Sequence, residues 1–208
     1  MNSAITIVDY GVGNVGSIQN MLKKIGARSV VASSPEQILQ ATKLILPGVG
    51  AFDAGMSTLA QSGLVDALNR KARQEKAPVL GLCLGMQLMT RGSQEGALPG
   101  LGWVQAETVK FDSAASPGLK VPHMGWNLVA PTKKSPILNE IPNNPRFYFV
   151  HSFHVCCDDR ADPLLRATYG PISFDAGFQH ENLFGVQFHP EKSHRFGMWL
   201  LKNFAELC

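Results

Sequence analysis

The 208-residue chain is sparing with charge and cysteine, and it has no long apolar run. No stretch approaches the roughly 18 consecutive apolar residues that a membrane span needs. Charged residues make up 17% of the chain, and 19 Lys and Arg stand against 16 Asp and Glu, a net charge of +3. No block of five like charges occurs, so a nucleic-acid-binding stripe is not expected. The N-terminal stretch reaches Asp9 without a basic region, which does not suit a secretory signal, and the expected location is cytoplasmic. Cys83, Cys156, Cys157 and Cys208 form no CxxC, and no H-x-x-x-H occurs. Neither a zinc site nor a disulfide framework is implied, and no cofactor is called for. Free thiols suit a reducing compartment.

What is present is 45% hydrophobic, enough for a buried core and too much for a disordered tail. The first half alternates strand and helix patterns. The β-branched run Ile5-Thr6-Ile7-Val8 predicts a buried strand. Asn14 can cap a helix that Gly26 stops. Val30-Val31, Lys43–Leu46 and Pro78–Leu82 predict further strands, Ser34-Pro35-Glu36 opens another helix, and residues 52–59, 64–74 and 84–89 predict helices. Beyond Gly92 the texture changes to short apolar runs at 147–150, 165–168, 172–174 and 183–188, read as strands, several of them antiparallel. A last helix carries a seam of Phe196, Trp199, Leu200, Phe204 and Leu207. Residues 1–208 read as one α/β domain, a mostly parallel, mixed sheet with helices on both faces.

Gly11-Val12-Gly13-Asn14-Val15-Gly16 matches G-x-G-x-x-G after a strand and before a helix, as a dinucleotide-binding, Rossmann-like protein requires. The second strand, however, ends in Ala32-Ser33-Ser34 and offers no carboxylate for a ribose. A glycine-rich turn where backbone passes close to something else is the simpler reading.

Gly81-Leu82-Cys83-Leu84-Gly85 has the form of a nucleophile elbow, G-x-C-x-G. A strand ends, the chain turns sharply, and a helix N-terminus puts positive potential beside the sulfur. The Leu84 N–H is the obvious oxyanion donor. A nucleophilic thiol needs a base, and the base an orienter. In Gln187-Phe188-His189-Pro190-Glu191 the two residues flanking Pro190 fall on one side of an extended segment, so Glu191 can fix the His189 ring. Of the other histidines, His123 and His151 read as adjacent to the site, and His154, His180 and His194 as structural or solvent-facing.

Together these residues resemble the class I (triad) glutamine amidotransferases, which pair a G-x-C-x-G elbow with a distant H-P-E. Further segments carry a closer likeness to the glutaminase subunits that feed a cyclase of histidine biosynthesis. They are Pro47-Gly48-Val49-Gly50-Ala51-Phe52, Pro122-His123-Met124-Gly125-Trp126-Asn127, Tyr148-Phe149-Val150-His151-Ser152, and Lys192. The resemblance implies a flavodoxin-like fold and hydrolysis of L-glutamine to L-glutamate and ammonia by Cys83, His189 and Glu191. It implies oxyanion contacts from Leu84 and Val49, and substrate contacts from Gly48, Gly50, Gln87, Glu95, Ser152 and Phe153. It also implies a heterodimer with a (β/α)8-barrel cyclase subunit, with Asn14, Ser17, His123, Trp126, Tyr148 and Lys192 at or near the interface. A related glutaminase subunit that serves a sugar amidotransferase of surface-polysaccharide synthesis is the alternative.

Overall fold

A computed structural model describes residues 4–112 and 118–208. The chain runs β1 (Ile5–Val8), α1 (Val15–Lys24), β2 (Ser29–Ala32), α2 (Pro35–Leu39), β3 (Leu44–Leu46), α3 (Phe52–Gln61) and α4 (Val65–Asn69), then β4 (Val79–Leu82) and α5 (Leu84–Leu88). The second half holds β5 (Ala106–Lys110), β6 (His123–Leu128), β7 (Ala130–Pro131), β8 (Arg146–His151), β9 (Phe153–Cys157), β10 (Pro163–Tyr169), β11 (Ile172–His180), β12 (Leu183–Val186) and α6 (His194–Leu207).

One mixed sheet organises the fold, in the order β2-β1-β3-β4-β12-β11-β10-β7, with β9 on β11 and β5 on β9. Its first five strands run parallel, with Leu82 opposite Val186 and Gly81 opposite Gly185. β11 and β10 then turn antiparallel. A separate two-stranded ribbon pairs β6 with β8 and sets His123 opposite His151 and Trp126 opposite Tyr148.

The parallel strands are buried on both sides, and alternate residues feed opposite cores. Ile5, Ile7, Ile45, Leu80 and Leu82 join Ile18, Phe149, Phe188 and Phe204 on one face. Val8, Leu44, Leu46 and Val79 join Leu59, Leu84, Leu88 and Phe178 on the other. Each fully buried side chain of this size contributes about 1.5–3 kcal/mol.

Three local expectations need correction. Asn14 makes no side-chain cap bond to α1. The helix predicted over 64–74 changes at Arg70 into a π-helical turn, Arg70–Gln74. Leu207 is 48% exposed, so the buried seam of α6 ends at Phe204. The glycine run at 11–16 has a packing cause: Gly13 has φ +131°, and a Cβ there would lie 2.9 Å from Pro47 Cβ. Cys156 is exposed and Cys157 half-buried on successive positions of β9, so the adjacent thiols point to opposite faces.

Candidate active site

Cys83 sits between the end of β4 and the start of α5 with φ +53° and ψ −110°. A non-glycine residue held there stores about 1–3 kcal/mol of strain. Three glycines leave no room for the turn to relax. A Cβ on Gly85 would lie 1.9 Å from the Leu46 carbonyl oxygen. One on Gly81 would lie 2.8 Å from Gly85 backbone, and one on Gly48 would lie 2.8 Å from the Gly85 nitrogen. β3, β4 and α5 thus touch backbone to backbone. The amides of Met86 and Gln87 bond back to the Cys83 carbonyl at 3.1 and 3.3 Å, and Leu84 and Gly85 head the helix.

Because β12 lies beside β4 and runs parallel to it, the segment that follows β12 emerges on the same edge of the sheet as the elbow. The His189 N–H donates to the Tyr148 carbonyl at 2.9 Å, and the Ser193 hydroxyl donates to the His189 carbonyl at 2.6 Å. These bonds fix the backbone on which the ring stands. His189 Nδ1 meets Glu191 Oε1 at 2.8 Å, and the ring and the Cys83 thiol lie together on the wall of one cavity. With Nδ1 occupied by the carboxylate, Nε2 is the nitrogen left for the sulfur. Both side chains are buried, at 4% and 2% exposure, and Glu191 Oε2 has no hydrogen-bond partner among the described residues. Burial alone would lower the His189 pKa, yet the bonds to Cys83 and Glu191 outweigh it and hold the imidazole up to about 9.

The thiol and the imidazole open into a cavity of about 400 Å³. Val49, Gly50, Leu84, Gln87, Glu95, Ser152, Phe153 and Lys192 line it as well. Gly48 is buried against Leu84, Gly85 and Tyr10 instead, so it shapes the elbow rather than the cavity wall. Glu95 Oε2 accepts from the Phe52 N–H at 2.8 Å, capping α3, and Asp53 accepts from the Ala97 and Leu98 amides in return. Gln87 Nε2 donates to the Phe153 carbonyl at 3.1 Å and to Gln187 Oε1 at 3.0 Å, so both its amide hydrogens are committed within the protein. The Phe153 carbonyl also accepts from His151 Nδ1 at 2.8 Å, which fills its second lone pair. Gln87 therefore meets a ligand through Oε1 alone, and Phe153 does not meet one through its carbonyl.

Outside the cavity, Trp126 is 47% exposed, stacks parallel on His194 at 5.6 Å and meets Tyr148 edge-on. Lys192 Nζ lies over the Tyr148 ring. Asn14 and Ser17 are half-buried near the start of α1, which packs against the turn Pro190–Lys192. His123 is 3% exposed, its Nδ1 bonds His151 Nε2 at 2.9 Å beside the cavity, and it stacks on Phe149 and Tyr169. On β6 the side chains of 124, 126 and 128 point out and that of 123 points in.

Two side chains close to the sulfur were not assigned from sequence. Gln187 Nε2 lies 3.7 Å from Cys83 Sγ. Its position two residues before His189 in an extended segment was the available signal. Tyr10 is buried and donates to the Pro47 carbonyl at 2.9 Å, and both burial and nearby Cys83 raise its pKa. No sequence signal marked it. Among the described residues, no group of three or more His, Cys, Asp or Glu could hold a metal, and no helix is long and apolar enough to cross a membrane.

A strained thiol on a helix N-terminus, an imidazole beside it and a buried carboxylate behind that imidazole, on a mixed α/β sheet, define a cysteine-dependent triad enzyme. The glutamine amidotransferase class-I family matches residues 6–207, and the chain belongs to it. Two similar relatives are each named imidazole glycerol phosphate synthase subunit HisH 2. The one from Methanococcus maripaludis is 52% identical over 202 residues, 97% of this chain and 98% of the relative. The one from Pseudomonas aeruginosa is 53% identical over 203 residues, 98% and 99% of the two chains. The HisH subunit from Bdellovibrio bacteriovorus is 46% identical over 98% of this chain and its own full length. Solved structures share the fold at low identity. The PurLQS structure from Thermotoga maritima matches with TM-score 0.76 at 18% identity, over 98% of both chains. The glutaminase domain of Trypanosoma brucei CTPS matches at 0.64 and 14%, over 98% of this chain and 94% of that one.

Proposed function

We propose that this chain is the glutaminase subunit of an imidazole glycerol phosphate synthase. It hydrolyses L-glutamine and passes ammonia to a (β/α)8-barrel cyclase in a cytoplasmic heterodimer, residues 1–208 forming one amidotransferase domain. The observation that carries the reading is the placing of Cys83 and His189 together in the cavity, with Glu191 bonded to His189 behind it.

In this mechanism the Cys83 sulfur attacks the carboxamide carbon. His189, held as imidazolium by its raised pKa, already carries the thiol proton on Nε2 and gives it to the departing nitrogen, which leaves as ammonia. Glu191 holds the ring and balances its charge. The oxyanion is met by the Leu84 N–H and by the Val49 N–H. Water, deprotonated by His189, then cleaves the thioester and frees glutamate. Gln87 Oε1, Glu95, Gly50, Ser152 and the Phe153 backbone hold the amino-acid end of the substrate, and Glu95 answers its ammonium.

Ammonia released into neutral water becomes mostly ammonium, which is no nucleophile, so the product needs a dry route to its acceptor. The exposed Trp126 and Lys192 and the half-buried Tyr148, beside the cavity and near Asn14 and Ser17, supply the surface on which the cyclase seats. His123 acts behind that surface rather than on it.

The test is glutamate release from this chain alone and from its complex with the barrel cyclase plus acceptor substrate. Gly50 has φ +99° and Val49 is 43% exposed, so the Val49 peptide is held by little until a partner covers it. Slow release by the isolated chain, accelerated in the complex, is expected; equal rates would contradict the reading.

One observation favours a second reading. Two relatives above 50% identity carry the number 2 in their names, as duplicated subunits do. A duplicated glutaminase can serve a sugar amidotransferase instead, and the same assay run with that partner decides between them.

A further inference from the structure

We propose that Gln187 is a catalytic residue of this site, its side-chain N–H holding the Cys83 sulfur in line for attack and stabilising it as it gains charge. The proposal rests on the glutaminase reading for the identity of the reaction, and on geometry alone for the contact.

Two side chains reach the sulfur, His189 and Gln187. His189 carries a proton on Nε2 that it must surrender to the leaving nitrogen, so its contact with the sulfur changes character during the reaction. Gln187 keeps its protons throughout. Its Nε2 lies 3.7 Å from Sγ, inside the range for a bond to sulfur, and the residue is fully buried. A buried donor aimed at a forming anion is worth more than the same contact in water, since no solvent competes. Tyr10, the other polar group nearby, gives its hydroxyl proton to the Pro47 carbonyl and has none for the sulfur.

The orientation of the Gln187 amide follows from its partners. A carboxamide can be placed either way round, but a backbone carbonyl only accepts. The Phe153 carbonyl therefore requires the nitrogen of Gln87 toward it, at 3.1 Å. The second hydrogen of that nitrogen goes to Gln187, 3.0 Å away, which must answer with its oxygen. The nitrogen of Gln187 is then the end that meets Cys83.

The carbonyl that sets this order is itself pinned. Burial pushes His151 down to about 3 and His123 down to about 4, so both rings are neutral at ordinary pH and carry one N–H each. His151 Nδ1 donates to Phe153, His151 Nε2 accepts from His123 Nδ1, and His123 Nε2 accepts from Asn127 at 3.3 Å. The Phe153 carbonyl thus accepts from His151 on one side and from Gln87 on the other, and the run from Gln87 through Gln187 ends with a donor on the sulfur.

The experiment uses the full chain in complex with its barrel cyclase and compares wild type with Gln187→Met and Gln187→Glu. Gln187→Glu keeps the shape if the methionine variant folds poorly. Thermal melting and ammonia-driven turnover of the complex establish that each variant is folded. Loss of one donor to a charged group predicts kcat for glutamine lower by about 10- to 100-fold with KM little changed. It also predicts that the pH midpoint for iodoacetamide alkylation of Cys83 rises by about one unit or more, most in Gln187→Glu. A purely structural glutamine would not move the alkylation midpoint of a folded variant. Unchanged midpoint and unchanged kcat in folded variants would overturn the proposal. Alkylation reads the sulfur without glutamine, so it decides the contact even if wild type released no glutamate and the glutaminase reading failed.

Discussion

His189 Nδ1 and Glu191 Oε1 are joined at 2.8 Å across the rigid ring of Pro190, with both side chains out of solvent and the second carboxylate oxygen unpaired. A buried anion with one partner demands a proton on that partner. Glu191→Gln removes the demand and offers an amide in its place. We expect kcat for glutamine to fall by about 10²–10⁴-fold, as when the orienting carboxylate of a triad is neutralised. The His189 titration, followed by NMR, should drop from about 9. An unchanged titration would show that Glu191 does not hold the ring.

Cys83 separates stability from function. Its backbone is strained at φ +53°, a conformation that glycine adopts freely. Cys83→Gly should abolish glutamine-dependent turnover, leave the ammonia-driven reaction of the complex intact, and raise unfolding free energy by about 1 kcal/mol. Cys83→Ala should abolish glutamine-dependent turnover equally and give no such gain. Urea denaturation of the two variants compares them directly.

Gly85→Ala should be far worse than an ordinary glycine substitution in a helix. Its Cβ would lie 1.9 Å from the Leu46 carbonyl oxygen, where no flexible side chain can yield. A loss of about 3 kcal/mol or more is expected, beyond the roughly 1–3 kcal/mol range of common substitutions. Gly16, with nothing within 4 Å of its Cβ, is the control, and Gly16→Ala should be neutral or mildly stabilising.

Stability should peak near pH 6.5. The His189 pKa is raised to about 9, so its contribution is complete below the ordinary histidine value and is lost as pH climbs through 9. Burial lowers His151 to about 3 and His123 to about 4, so their contribution is complete above 6.5 and is lost as pH falls toward those values. Melting temperature measured from pH 4 to 10 should show both flanks. His189→Gln should flatten only the alkaline one.

The parallel half of the sheet and the triad were legible because each rests on a local rule. A buried β-branched run makes β1 and a buried aliphatic run makes β3, the glycines at 81 and 85 permit the elbow, and the His189-Pro190-Glu191 spacing brings imidazole and carboxylate together. β6 and β9 were not legible: Gly125 and Asn127 interrupt the first, and the second carries His154 and two cysteines. Both owe their existence to pairing partners, β8 for one and β5 for the other. β5 alternates buried and open positions and could have been found by its period. That His123 faces inward on β6 was not legible, because a single β-ribbon residue shifts from surface to interior with register, and register is not written in composition. Gln187 stood inside a recognised motif, but its use depends on Gln87 and Phe153, which lie far away in sequence and meet it only in the folded sheet.

The last strand of the chain, β12, is inserted at the middle of the sheet between β4 and β11. A polypeptide emerging from the ribosome can therefore complete β1 through β4, elbow included, and still lack the base that makes its thiol useful. The nucleophile gains its base only when the segment after β12 has packed beside the elbow, so the two halves of the site are assembled from opposite halves of the fold.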